Sequence, residues 1–519
     1  MDDRDRTMMI PRVRAAETPT EIRTTDGWDQ GTTAPDADDP GNRAGHSLGL
    51  LAWIVPTLLM AILGLARATW PALWGDELAT WGMARASWGD LWAVVQNFDA
   101  AIAPYYAFMH VVTGLLGESE LALRLPSMLA MAGAAGLVGA LGTRLASPRV
   151  GLTAGLIFAV LPNTSRYAQE ARPYAIALFA AVLATWLLVR AIDRPGAPRW
   201  VAYAGAVALL GLSQFVALLL LAAHALVVLL MRPRAWWAWL IAAVVGTLPV
   251  LPVVNLARSQ QVQVSWIPEA TLQRMADLPG GLTGNALLGG ALLALALVGM
   301  SLRRPAVVYT AWAFVPVLGL YVVSQVTPLW LPRYLLFVLP AFALLAATAL
   351  SRAPVLRGLA VVVVVALAGL PGQLNVRETD GHTQASRDLG VLLVKEGRPE
   401  DVAVYGGNVG GDQRIARDAV TRYTPAANRP KDVLLAQAPR TGGSFTAQEC
   451  AEVPTCLGTP QRVWVIRTGR LTDPLRGLGD AKESPLRSQY DVERVFRPTG
   501  YTVALLLRRQ AAVEQPKVR

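Results

Sequence analysis

At 519 residues, 53% hydrophobic and with a mean hydropathy of +0.37, the chain is too apolar for a soluble protein of its size, and the excess has to face lipid. Its formal net charge of +10 does not make it a nucleic-acid binder, because the arginines sit in short turns between apolar runs and no basic stripe interleaves with aromatics. Only four basic residues are lysines (Lys395, Lys431, Lys482 and Lys517).

Residues 1–47 are polar and rich in Asp, Arg, Thr and Pro, which predicts a disordered tail without a cleavable signal peptide. Apolar runs follow near 48–69, 124–143, 150–164, 173–191, 200–212, 214–231, 235–256, 285–302, 306–326, 332–350 and 356–372. Eleven spans are therefore expected, each needing about 20 residues to cross a bilayer core. The stretch 104–117 (PYYAFMHVVTGLLG) is apolar but short, the length of an interfacial helix. If it does not cross, the turns carrying Arg144/Arg149, Arg190/Arg194/Arg199, Arg232/Arg234, Arg303/Arg304 and Arg352/Arg357 all fall on one side. The positive-inside tendency makes that side the cytoplasm. The N-terminus is then cytoplasmic, and a large loop at 70–123, another at 257–284 and the C-terminal part are extracytoplasmic.

Residues 373–519 read as a small α/β domain. Strand-like runs (VAVYGG at 402–407, RVWVIRTG at 462–469, TVALLLRR at 502–509) alternate with helix-like ones. The only cysteines, Cys450 and Cys456, lie here, and outside the cytoplasm a small-loop disulfide is expected.

Three outer turns carry groups suited to chemistry. The first loop holds W-G-D-E, with Asp76 and Glu77, then Q-N-F-D ending at Asp99. Carboxylates near a membrane serve as general bases or ligands of hard cations, or simply as solvated loop residues. The second turn, R-Y-A-Q-E-A-R-P-Y, holds Arg166, Gln169, Glu170 and Arg172. At a helix boundary such groups pair or bind something, and an arginine fork there suits a lipid phosphate as well as it suits helix anchoring. The third, P-L-W-L-P-R-Y, holds Arg333 and Tyr334, again a phosphate ligand or an interfacial anchor. Ser213 and Gln214 are candidates to line a polar cavity, while His110 and His224 read as packed residues.

Taken together, W-G-D-E at 74–77, D-x(4)-P-Y-Y at 99–106, E-L-A-L-R-L-P-S at 120–127, Y-A-Q-E-A-R-P-Y-A at 167–175 and P-R-Y-L-L-F-V-L-P-A at 332–341 resemble the GT-C membrane glycosyltransferases. The likeness is to the family 39 group of protein O-mannosyltransferases and their bacterial relatives of actinobacterial type. It implies a mainly α, polytopic GT-C fold in which 48–372 form the catalytic domain. It also implies a polyprenyl-phosphate sugar as donor, from which a hexose, with mannose the candidate, passes to a hydroxyl of an extracytoplasmic protein, lipid or glycan. By that resemblance Asp76 is the general base supported by Glu77, Arg172 and Arg333 with Tyr334 hold the donor phosphate, and Gln169, Glu170, Tyr105 and Gln214 contact substrate. Asp99 takes the acidic position linked in some relatives to a divalent cation, Mg or Mn. Ala101, Ile102 and Ala103 precede Pro104 where many relatives carry a His or a Pro pair, which leaves metal use open. The other classes to weigh are a lipid-linked glycan transporter or flippase, which would place ionisable groups at the midplane and show repeats, and a non-catalytic cell-wall scaffold.

Overall fold

The computed structural model describes residues 40–352, 354–407 and 413–509; the expected disordered tail falls, up to residue 39, outside them. From Ala44 onward the chain forms one compact unit. Among the described residues the first nine α-helices are α1 (Pro40–Leu65), α2 (Gly75–Arg85), α3 (Trp88–Val95), α4 (Ala103–Leu116), α5 (Glu120–Leu145), α6 (Pro148–Val160), α7 (Pro162–Ala168), α8 (Tyr174–Asp193) and α9 (Ala197–Ser213).

All eleven apolar runs are helical. Among the described residues seven helices are long and apolar enough to cross a membrane, namely Ser47–Leu65, α5, α8, Pro233–Arg258, Ala306–Val323, Pro332–Ala349 and Leu356–Asn375. The shorter helices α6, α9, Phe215–Met231 and Ala286–Gly299 take the other four runs. The chain is a multi-pass membrane protein. Where α5 crosses α1 and α6 the backbones nearly touch. A Cβ on Gly139 would sit 1.8 Å from the Ala52 carbonyl oxygen, and one on Gly151 would sit 2.2 Å from the carbonyl oxygen of Gly139. Small residues permit this approach in a lipid environment, where close packing rather than water exclusion holds helices together.

Three of the basic turns meet at one end of the bundle: Arg144 pairs with Asp193 at 2.6 Å, and Arg232 donates to the Ile192 carbonyl at 3.2 Å. α4, at 14 residues, rises about 21 Å, much the same as α6, and it is its packing that sets it apart. One face, with Tyr105, Tyr106, Met109 and Val112, is buried in a core shared with α2 and the C-terminal domain, while Phe108, Val111, Leu115 and Leu116 are exposed.

The C-terminal domain is built on a five-stranded mixed sheet. Its strands are β1 (Val402–Gly406), β2 (Lys431–Asp432), β3 (Leu435–Gln437), β4 (Gln448–Glu449), β5 (Arg462–Thr468), β6 (Tyr490–Phe496) and β7 (Tyr501–Arg508). The order is β2-β1-β5-β7-β6, with β3 and β4 forming a separate pair. β1 runs parallel to β2 and β5, and β7 runs antiparallel to β5 and β6. β1, β5 and β7 are the expected strands, each buried almost throughout. β6 is exposed over most of its length and carries no apolar run. Cys450 and Cys456 are bridged.

The boundary expected at 373 is not a gap in the packing. Leu389, Leu393, Tyr405, Val420, Trp464 and Val503 of the C-terminal domain share one buried cluster with Leu78, Trp81, Val94 and Tyr106 of the segment 70–123. Removing that much apolar surface from water, at about 25 cal/mol per Å², binds loop and domain into one layer.

Candidate active site

The W-G-D-E motif opens α2, and Asp76 and Glu77 lie in its first turn, where the unpaired N–H groups of a helix favour negative charge. The backbone of that turn is held from the C-terminal domain. Gln384 Oε1 accepts from the Gly75 N–H at 2.7 Å, Arg414 donates to the Gly75 carbonyl at 3.1 Å, and Tyr423 Oη accepts from the Leu73 N–H at 2.8 Å. A Cβ at Gly75 would lie 2.8 Å from Ile415 Cδ1.

Asp76 lies on the wall of a cavity of about 480 Å³ whose lining also includes Asp99, Arg172, Gln214, Arg333 and Tyr334. Five separate segments of the chain thus converge on one space. Arg172 Nε is 3.9 Å and Arg333 Nη1 is 3.7 Å from Asp76 Oδ2. Neither guanidinium is used up by the protein: the Nε of each has no hydrogen-bond partner, and the Arg172 Nη1 contact to Tyr106 Oη is 3.5 Å long. Tyr174 and Trp266 place their rings 6.0 and 5.6 Å from the Arg333 guanidinium. Gln214 Nε2 also has no partner.

The segment 257–284 closes this arrangement. Asp99 has a left-handed backbone, φ 57°, uncommon for a residue with a side chain. Gln263 Oε1 accepts its N–H at 3.0 Å, and Gln260 Oε1 accepts that of Ala100 at 2.9 Å. The Asp99 carboxylate accepts the Tyr106 hydroxyl at 2.7 Å. Among the described residues no three His, Cys, Asp or Glu side chains are grouped to hold an ion. With Tyr106 on its carboxylate and Arg172 on the same hydroxyl, Asp99 is a poor fit to Mg or Mn, which prefer several oxygen ligands.

Four of the expected site residues do not line the cavity. Glu77 is fully buried and takes Arg124 Nε at 2.8 Å and Nη2 at 2.7 Å, with the Ala171 N–H at 2.9 Å. His382 Nδ1 lies 3.4 Å from its Oε2. Burial pushes the Glu77 carboxyl up, but the Arg124 charge and hydrogen bonds, helped by His382, outweigh it and hold the group well below the usual carboxylate range. Burial, with Arg166 and Arg124 nearby, brings His382 down to about 3, so it stays neutral. Gln169 is spent on the carbonyls of Gly64 and Ala66 at 2.9 Å each. Glu170 is buried against Arg166 at 2.6 Å; burial raises its pKa to about 7, against the lowering pull of Arg166. Tyr105 is buried, and it is its neighbour Tyr106 that reaches Asp99 and Arg172.

The sequence reading missed Tyr106, Tyr174, Arg258, Trp266, Arg414 and Phe445, all but the first of which line the cavity. For Arg258 the signal was a charge ending an apolar run. Arg414 and Phe445 come from the C-terminal domain and carried no local signal.

Residues 102–255 match the family model described as dolichyl-phosphate-mannose-protein mannosyltransferase. No curated protein sequence matches the chain. Among solved structures, ArnT from Cupriavidus metallidurans in the apo state aligns with a TM-score of 0.57 at 16% identity, over 88% of this chain and 98% of that one. The crystal structure of the same protein bound to undecaprenyl phosphate gives 0.54 at 15%, with the same coverage. The fold is GT-C. Within this GT-C fold the family match contributes Arg172 and Gln214 to the cavity, while Asp76, Asp99 and Arg333 come from outside the matched segment.

Proposed function

We propose that the chain is a membrane glycosyltransferase that moves a hexose, mannose first among the candidates, from a polyprenyl-phosphate donor to a hydroxyl of an extracytoplasmic acceptor. The observation that carries this reading is the placing of Asp76 between Arg172 and Arg333, at 3.9 and 3.7 Å, on the wall of one cavity. A carboxylate held against two guanidiniums with donors to spare puts a proton acceptor next to an anion site. Direct transfer from a sugar phosphate needs that pair of functions.

In the reaction so assigned, the acceptor hydroxyl oxygen bonds to the anomeric carbon as the bond from that carbon to the phosphate oxygen breaks. The electron pair leaves with the phosphate, held by Arg172 and Arg333, and the hydroxyl proton passes to Asp76. A base of this kind contributes about 10²- to 10⁴-fold. With one carboxylate as base the displacement inverts the anomeric centre; retention would need a second as nucleophile, and Asp99 is engaged by Tyr106.

The proposed orientation puts the cavity outside and the N-terminus in the cytoplasm. It is supported by the alternation of eleven helical runs, which sends the basic turns to one end and the cavity turns to the other. The Cys450–Cys456 disulfide suits the same side. The test is an assay of radiolabelled polyprenyl-phosphate sugars against membrane, protein and glycan fractions in reconstituted vesicles. Label should move from one donor into one fraction; no transfer from any lipid-phosphate sugar would sink the reading.

A further inference from the structure

A second cavity, of about 710 Å³, lies between α2 and the C-terminal domain. Its walls carry five basic side chains, Arg85, Arg417, Arg429, Lys431 and Arg440, against three acidic ones, Asp90, Asp418 and Asp432. The acids are largely spent. Asp432 takes Arg417 at 2.7 Å, Asp418 takes two bonds of 2.6 Å from Arg440, and Asp90 accepts from Ser87 at 2.8 Å. Arg429 and Lys431 have no carboxylate partner among the described residues; the Arg429 bonds go to the carbonyls of Thr421 and Thr424. Arg85 pairs with Glu118 at 3.3 Å and Arg417 also with Glu449 at 2.5 Å, so the positive charge left unpaired in the cavity is that of Arg429 and Lys431.

Two further facts point to a ligand. Arg417 and Arg440 are each 5% exposed, yet Arg417 Nη1 and Arg440 Nε have no hydrogen-bond partner. A buried donor without an acceptor costs free energy and calls for a partner. Arg440 also holds a left-handed backbone, φ 58°, a conformation kept only where the surroundings impose it. Gly82 makes room for it, since a Cβ there would come within 2.5 Å of the Arg440 Cζ.

We propose that this second cavity binds a ligand bearing a phosphate or carboxylate group, at Arg417, Arg429, Lys431 and Arg440, separately from the anion site at Arg172 and Arg333. Binding here does not depend on the chain being a transferase. The cavity nevertheless connects to Asp76. Asp418, which holds Arg440, also meets Arg414 at 3.6 Å, and Arg414 donates to the carbonyl of Gly75, the residue before Asp76. The Phe445 ring, on the wall of the first cavity, has the Arg414 and Arg440 guanidiniums at 5.0 and 5.2 Å.

The test is calorimetric titration of the full chain, in phosphatidylcholine nanodiscs, with inorganic phosphate. In the double variant Arg172→Ala/Arg333→Ala, one saturable phosphate site should remain. In Arg429→Ala/Lys431→Ala, whose side chains are exposed and whose loss should leave the melting temperature within a few degrees, that site should weaken at least about tenfold, or about 1.4 kcal/mol. No saturable binding in the first variant, or unchanged binding when the second pair is added to it, would overturn the proposal. Competing ligands name the source. Displacement by phosphatidylglycerol in the nanodisc indicates a lipid headgroup, and displacement by glucuronate indicates a soluble acidic sugar. Displacement by neither assigns the site to free phosphate itself.

Discussion

Asp76 and Glu77 are adjacent in α2 but belong to two regions of opposite character. Asp76 is partly exposed on a cavity wall, with two arginines at 3.7 and 3.9 Å that still have donors to give. Glu77 points the other way, into a cluster where it and Arg124 are 0% exposed and joined by two bonds under 3 Å. Arg124 in turn donates to the carbonyls of Ala68 and Pro71 at 2.7 and 2.9 Å. One region has unspent hydrogen-bonding capacity where substrate would sit, and the other has almost none. The lesson is that a two-residue acidic motif can divide its labour, with the satisfied member fixing the helix from which the unsatisfied one works.

The largest expected effect falls on the satisfied region. Glu77→Gln or Arg124→Ala breaks one partner of a buried pair and should cost about 3–5 kcal/mol, seen as a lowered melting temperature in detergent. An unchanged melting temperature would dissolve the distinction. Because the folded Glu77 carboxyl lies below its ordinary 4.5, this stabilisation is present above that pH and is lost on acidification.

Glu170 should show the opposite sign. Its pKa rises from 4.5 unfolded to about 7 folded, so the folded state binds more protons and stability falls as pH rises between those values, by on the order of 3 kcal/mol. In Glu170→Gln that slope should vanish; a melting curve with the same pH dependence as the parent chain would contradict it. The smallest effect belongs to Arg333→Lys, which keeps a charge in the cavity but loses the planar fork. Donor binding should weaken about tenfold, or about 1.4 kcal/mol, without a change in melting temperature. Equal affinity in both proteins would show that the fork is not used.

The eleven apolar runs were legible as helices because lipid-facing length leaves a one-dimensional trace. Asp76, Asp99, Arg172, Arg333, Tyr334 and Gln214 stand out in the sequence as polar residues in or beside the segments that join apolar runs, and all six line the cavity. Glu77, Gln169 and Glu170 carry the same trace, yet they serve buried carbonyls and ion pairs. Burial depends on which way a helix is rotated, and spacing at a helix end does not record that. Tyr105 and Tyr106 differ by one position, about 100° around the helix, and the pattern did not decide between them. His382, Arg414 and Phe445 reach the site or its support only through the tertiary packing of the C-terminal domain on α2, and no local pattern in that domain marks them.

The most direct test is to compare Asp76→Asn with Glu77→Gln in the same reconstituted membranes, measuring transfer from a polyprenyl-phosphate sugar and the melting temperature of each. The account predicts that Asp76→Asn melts with the parent chain and loses transfer by about 10²-fold or more, whereas Glu77→Gln is lost first as folded protein. Transfer at the parent rate by a folded Asp76→Asn chain would contradict it.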